Sequence, residues 1–337
     1  MSVNFKISFA GRDELADWLE YVDIADASGF WGLGVGDSQS IYLDTYVRCT
    51  LAAVRTRNLL IGPWVTNPLT RHPAVTASAI VSVDQVSGGR AYLGIGSGDS
   101  AVLNADMKPS RMAYLEEYVR AVKDLMAHGK AEWQGRHVAL SYAKRSVPVY
   151  VASSGPKTAR LAGRVGDGAI CAGVISPEAV RETLEQVRAG AREAGRKPDD
   201  VDVWWGVMAN LAEDDATALN ELKSSLVTRA HHVFRYTTEG MHLPPEFAPA
   251  MQRIQREYQP LLHGALGTPT HARLADDPGV ADYLARSFSL CGSPETFVRR
   301  AREMQAMGVT QISLQVRGTD RRRFLRLWNE RVRPQLA

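Results

Sequence analysis

Cysteine is scarce in this chain: 337 residues hold three, Cys49, Cys171 and Cys291, set far apart. Thiols so scattered build neither a disulfide framework nor a zinc site, and they suit a reducing cytosol. No metal is expected. Long apolar runs are also missing, and the first residues, MSVNFKISFAGRDELADW, lack a basic start followed by a greasy stretch. Membrane spanning and secretion are therefore not expected, and the chain is read as cytoplasmic. Charge of one sign is lacking too. Forty Lys and Arg against 37 Asp and Glu leave a formal net charge of +3, with bases and acids interleaved, so nucleic acid is not an expected partner. The densest basic run, Arg321-Arg322-Arg323 with Arg326, reads as a solvated helix face.

Hydrophobic residues at 45% and charged residues at 23% describe an ordinary globular protein. Short β-rich runs alternate with longer segments of helical period, the pattern of βαβ units around a parallel sheet. Eight strands are predicted: 5–10, 32–36, 59–65, 91–96, 147–152, 168–172, 201–209 and 311–316. The first helix, 13–28, carries Leu15, Leu19, Val22 and Ala25 on one face, and Gly29 ends it. Length and order fit an α/β fold of the (β/α)8 TIM barrel class, one domain over 1–337 with insertions after strands 4 and 7. The first insertion includes a helix over 110–128 and a hairpin whose tip is Gln134-Gly135-Arg136. The second, 228–286, reads either as a substrate lid or as a structural cover.

In such a barrel the residues just past each strand form the active site. After the second strand Asp37 stands in Gly36-Asp37-Ser38-Gln39-Ser40, able to accept hydrogen bonds from a ligand or to cap a helix beginning near Tyr42. After the third come Trp64, Val65, Thr66 and Asn67, framed by Pro63 and Pro68, where a bulge would press on one face of a planar ring. The alternative is a rigid turn. His72 follows at a helix start, as an acid or base or as a plain capping histidine. The fourth strand runs into Gly94-Ile95-Gly96-Ser97-Gly98-Asp99, whose glycines let backbone approach a ligand. The fifth ends in Ser153-Ser154-Gly155-Pro156-Lys157-Thr158 and opens a helix, an anion site by construction. Ala172 and Gly173, after the sixth, would add an N–H to the same phosphate; a serine-capped helix and a tight turn is the plainer reading. Trp204 and Trp205 must point to opposite faces of the seventh strand. His231, His232, His242 and His263 lack a carboxylate at metal spacing.

Taken together, VTNPLTRHPAVTASAIVSVDQVSGGRAYLGIGSGDSAV (65–102), PVYVASSGPKTARLAGRVGDGAICAG (148–173) and CGSPETFVRRAREMQAMGV (291–309) resemble the bacterial luciferase-like superfamily, within it the methylenetetrahydromethanopterin reductase branch. The resemblance implies a barrel that binds reduced flavin mononucleotide (FMN) or the deazaflavin coenzyme F-420. It implies a ring against a non-proline cis peptide at Trp64–Val65 or an adjacent bond, phosphate against 153–158 with Gly173 nearby, and 96–100 along the ring and ribityl chain. A homodimer is implied as well. Deazaflavin members often show Asp-His after the second strand, whereas this chain has Asp37-Ser38. The first expectation is therefore a two-component monooxygenase taking reduced FMN from a separate flavin reductase and using dioxygen on a small organic substrate, with Asp37, Asn67 and His72 as the polar groups near the ring. The alternatives are an F-420-dependent reductase or dehydrogenase transferring hydride, and a non-catalytic flavin-binding protein.

Overall fold

The computed structural model describes residues 3–10, 13–142, 145–235, 237–259, 262 and 265–336; His263 lies outside them. The chain divides into two compact units, Met1–Gly29 with Ala172–Thr183 and Trp204–Ala337, and Phe30–Cys171 with Leu184–Val203.

The second of these units holds five parallel strands joined through helices. Gly32–Val35 pairs with Leu60–Pro63, isolated bridges at Ile61–Ala91 and Thr66–Ile95 lead on to Leu93–Ile95, and that strand pairs with Val149–Ser153, which pairs with Gly168–Cys171. The helices Thr45–Arg55, Pro73–Ser87, Met112–His128 and Pro156–Val165 follow their strands. Their caps are legible in the residues: Asp44 accepts from the amides of Tyr46 and Val47, and Pro73 opens a helix that ends at the left-handed Gly88. Gly62 could be nothing larger, since a Cβ there would meet the Tyr92 carbonyl oxygen at 1.9 Å. The predicted hairpin is present as Lys130–Trp133 against Arg136–Ala139, turning through Gln134 and Gly135, both at positive φ, the geometry that suits the twist of the two strands.

In the other unit Asn4–Phe9 and Asp202–Leu211 flank Gln311–Val316 in parallel. A further strand, Ser289–Gly292, pairs with the end of Asp202–Leu211. The sequence reading missed it. Four residues are too short to show an alternation, and Ser293-Pro294 announces the next helix, whose cap Ser293 is. The stretch predicted as the second insertion runs from the end of helix Asp215–Phe234 through Ala248–Glu257 to Val280–Phe288. These helices share an apolar core that includes Leu226, Ala230, Ile254, Leu274 and Leu284. The first helix runs Leu15–Ala27, with Gly29 left-handed just beyond it. Trp204 and Trp205 are both buried; Trp204 carries the Lys6 ammonium 4.2 Å over its ring.

Candidate active site

Parallel strands bring their carboxyl ends to one edge, and in the five-stranded unit that edge gathers 36–40, 64–67, 96–100 and 154–158. Most of the predicted site residues stand there.

Asp37 is not a free carboxylate. Its side chain is 5% exposed and accepts from Thr66 Oγ1 at 2.6 Å and from both Nη atoms of Arg71, at 2.6 and 3.3 Å. Arg71 also reaches Asp44 at 2.9 Å, lies 5.1 Å over the Tyr46 ring, and its carbonyl accepts from Tyr118. Burial works against the guanidinium's charge, yet the two carboxylates hold its pKa above the usual range. Burial, with the negative charge of Asp37 next in order, pushes the Tyr46 hydroxyl far up, so it stays neutral. The hydroxyls of Ser38 and Tyr46 are buried without a hydrogen-bond partner, a condition that costs energy unless a ligand or water meets them. Arg71 went unnoticed as a site residue in the sequence; a lone base in the loop after the third strand, opposite acids after the second, was the signal.

The peptide between Trp64 and Val65 is cis. The bulge around it is held on both sides: Trp64 N–H donates to Val35, Thr66 N–H to Gly94, and Gly96 N–H to Thr66, at 2.7–2.9 Å. Beside half-buried Val65 the backbone of the fourth strand is bare. A Cβ on Gly94 would lie 2.3 Å from the Pro63 carbonyl oxygen, and one on Gly96 would lie 3.2 Å from Ala152 and 3.3 Å from Val65. Glycine therefore lets the fourth strand pack directly against the bulge and against Ala152, with no side chain between them. Ser97 accepts from the Ser110 amide through its carbonyl, and the Asp99 carbonyl starts a short helix. Gly98, at φ +101°, lies against Val102 and Asn67.

Asn67 is committed to its turn, accepting from the amides of Leu69 and Thr70 and donating to Thr70. His72 is exposed and caps the helix Pro73–Ser87, its Nδ1 accepting from Ala74 N–H. The structure thus brings Asp37 and Thr66 into contact, keeps Asn67 within its own turn beside Thr66, and leaves His72 at a helix start.

At the end of Val149–Ser153 the helix Pro156–Val165 begins on Gly155 without a side-chain cap. Ser153 and Thr158 hydroxyls both donate to the Gly155 carbonyl and lie 3.1 Å apart. Lys157 is exposed and Ser154 half-buried. An uncapped first turn with two hydroxyls and a lysine suits a phosphate, which the hydroxyls would meet only by turning away from Gly155. The residues present therefore fit a phosphorylated, ring-bearing cofactor. Ala172 and Gly173 belong to the other compact unit; a Cβ on Gly173 would meet nothing within 4 Å.

Comparison with known proteins supplies what geometry alone does not. The profile of the family described as luciferase-like monooxygenase matches residues 3–311. A 5,10-methylenetetrahydromethanopterin reductase of Methanolobus tindarius is 30% identical over 317 residues, 92% of this chain and 93% of that one. An F420-dependent glucose-6-phosphate dehydrogenase of Mycolicibacterium fortuitum is 26% identical over 302 residues, 85% of this chain and 82% of its own. The solved coenzyme F420 dependent tetrahydromethanopterin reductase of Methanopyrus kandleri superposes over 100% of both chains with a TM-score of 0.77 at 24% identity, which establishes the (β/α)8 barrel fold. With a profile spanning nearly its whole length and a relative this similar over nine-tenths of it, the chain belongs to the luciferase-like monooxygenase family and is an enzyme.

Proposed function

We propose that the protein is a coenzyme F420-dependent reductase or dehydrogenase acting on a small organic substrate. One observation carries this reading: relatives matched over most of the chain with two different reactions, a coenzyme F420 dependent tetrahydromethanopterin reductase and an F420-dependent glucose-6-phosphate dehydrogenase, name the same deazaflavin. That reverses the order expected from Asp37-Ser38, which put reduced FMN, dioxygen and a partner flavin reductase first. A missing histidine is weaker ground than the company the whole chain keeps, because a single side chain can be replaced while the glycine-lined bulge and the uncapped helix start persist.

When bound, F420 supplies a two-electron hydride transfer. The chain's own residues would bind and orient it. Val65, Gly96 and Ala152 would take one face of the ring. The first turn of Pro156–Val165, with Ser153, Thr158 and Lys157, would take the phosphate. Asp37 acts as a positioning residue: saturated by Thr66 and Arg71, it fixes the bulge that the ring leans on. Tyr46, held neutral by burial, keeps its proton on Oη and is able to donate it.

Side-by-side titration of the purified protein with F420 and with reduced FMN, followed by anaerobic turnover, tests this. The expected result is F420 binding at least tenfold tighter and substrate-dependent bleaching of its absorbance without oxygen. Tight binding of reduced FMN with strictly oxygen-dependent turnover would return the monooxygenase reading to first place.

A further inference from the structure

The unit built on the first and last strands has a polar face that the proposed coenzyme site does not use. Lys6 lies beside Ser313 and Ser8 beside Gln315 in the Asn4–Phe9 pairing; Ser313 lies beside Gly206 and Gln315 beside Met208 in the next. Partners in register present the same face, so Lys6, Ser8, Ser313 and Gln315 share one. Arg229 from the helix Asp215–Phe234 donates to the Gln315 amide oxygen at 3.1 Å. Two residues further on, where the ladder continues through Arg317 N–H to the Ala209 carbonyl at 3.0 Å, stands Arg317, 7% exposed.

No carboxylate among the described residues pairs with Arg317, and its buried Nε has no hydrogen-bond partner. The acids around it are engaged elsewhere. Asp320 caps its helix on Arg323 N–H, Glu221 takes Arg323 and Asn210, and Asp13 lies 3.5 Å from Arg321. Arg321 is a second guanidinium, 3% exposed, spending its donors on the Gly318 and Ala10 carbonyls. Burial holds its pKa below the guanidinium range, and the like charge of Arg317 adds to that. A buried cation with a like-charged neighbour and no counterion is costly. Something negative that binds there would offset that cost.

We propose that Arg317 anchors an anionic-substrate subsite at the carboxyl end of the last strand, pairing fork-to-fork with a carboxylate or phosphate of the molecule that is oxidised or reduced. The planar guanidinium suits two parallel hydrogen bonds to either group, and residues just past a barrel strand face the mouth where substrates bind. The inference rests on the enzyme reading above and narrows its substrate class to anions.

The test is thermal melting of the full chain, with F420 bound so that the coenzyme's own phosphate seat is filled, titrated with succinate and with inorganic phosphate at constant ionic strength against chloride. The wild type should melt higher as either probe is added, and the stronger of the two identifies the group. Arg317→Met should melt at or above the wild type without anion, since it removes an unpaired buried charge, and should lose the anion response by about 10- to 100-fold in apparent Kd. Arg317→Lys should fall between. Arg322→Met, which removes an exposed arginine paired with Asp17 and Glu20, should leave the response intact. No anion-selective response in the wild type, an unchanged response in R317M, or a lower melting point of anion-free R317M would each overturn the proposal. If the apo protein responds to succinate and F420 abolishes the response, the anion belongs to the coenzyme and the substrate assignment fails. If F420 does not bind while R317M still removes the succinate response, the coenzyme reading fails and the subsite stands.

Discussion

The Asp37–Arg71 pair sorts a catalytic carboxylate from a positioning one, because its two members are not equally replaceable. Arg71→Met would leave the Asp37 carboxylate, 5% exposed, facing only the Thr66 hydroxyl. An uncompensated buried charge of that kind costs about 3–5 kcal/mol. Asp37→Asn is milder: Asn keeps an acceptor for Thr66, and Arg71, 18% exposed, retains Asp44 at 2.9 Å, so the loss is about 1.5–3 kcal/mol of charge-assisted bonding. For a chain of this length the unfolding entropy is about 0.7 kcal/mol per kelvin, and the expected drops in Tm are about 4–7 °C for R71M and about 2–4 °C for D37N. The double variant should melt above the sum of the two losses, with a coupling of about 2 kcal/mol, since removing both charges leaves neither stranded. Differential scanning calorimetry reads all four proteins, and F420 titration reads the second consequence, that D37N weakens coenzyme binding while turnover of the saturated enzyme falls about tenfold or less. Equal losses for the two single variants, or strict additivity in the double, would refute the electrostatic account. D37N with wild-type melting and turnover down by more than about 100-fold would make Asp37 an acid or base in its own right.

Other expectations follow from the same geometry. His271 is fully buried, accepts from Gln259 N–H on Nε2, and lies in a ring stack with Tyr258 and His231. Burial lowers its pKa below the ordinary 6.5. The unfolded chain therefore binds the proton first, so this contribution to stability is complete above pH 6.5 and is lost as pH falls from there through the folded pKa, by up to about 1.4 kcal/mol per pH unit. Melting curves of H271Q should be flatter over that window than the wild type's, and parallel curves would remove His271 as the cause. Burial pushes the thiols of Cys49 and Cys171 up to about 12, so native protein at pH 8 should resist iodoacetamide at both while urea-unfolded protein labels fully, by mass spectrometry. The helices carrying Gly163 and Gly190 touch backbone to backbone: a Cβ at Gly190 would lie 1.9 Å from the Arg160 carbonyl oxygen, and one at Gly163 the same distance from that of Val187. Gly190→Ala should cost about 1–3 kcal/mol in chemical denaturation, despite alanine's better helix propensity; a stabilised variant would contradict that packing.

How much of this could be read from the residues depends on which interaction decided each feature. The eight strands that were legible are those where β-rich runs meet glycine or proline, as in Leu60–Pro63 or Gly168–Cys171, because local sterics and burial act within a few residues. The hairpin at Gln134-Gly135 was legible for the same reason. Ser289–Gly292 was not: its four residues become a strand only because the end of Asp202–Leu211 offers them a ladder 81 positions away. The site divides along the same line. Glycines at 94 and 96 and the uncapped helix at Gly155 announce themselves in sequence, since the absence of a side chain is itself the signal. Asp37, by contrast, reads as a candidate catalytic acid in sequence, and only its contacts with Thr66 and Arg71, 29 and 34 positions away, show a saturated carboxylate. Arg317 differs from the arginines that follow it in its surroundings. Arg321-Arg322-Arg323 with Arg326 read as one solvated face; Arg322 and Arg326 do have exposed acids at hand, but Arg321 is buried instead, and Arg317 four residues earlier is buried beside it. A chain does not keep a desolvated charge for local propensity, so the residue that looked most ordinary in the sequence is the one whose environment most requires a ligand to explain it.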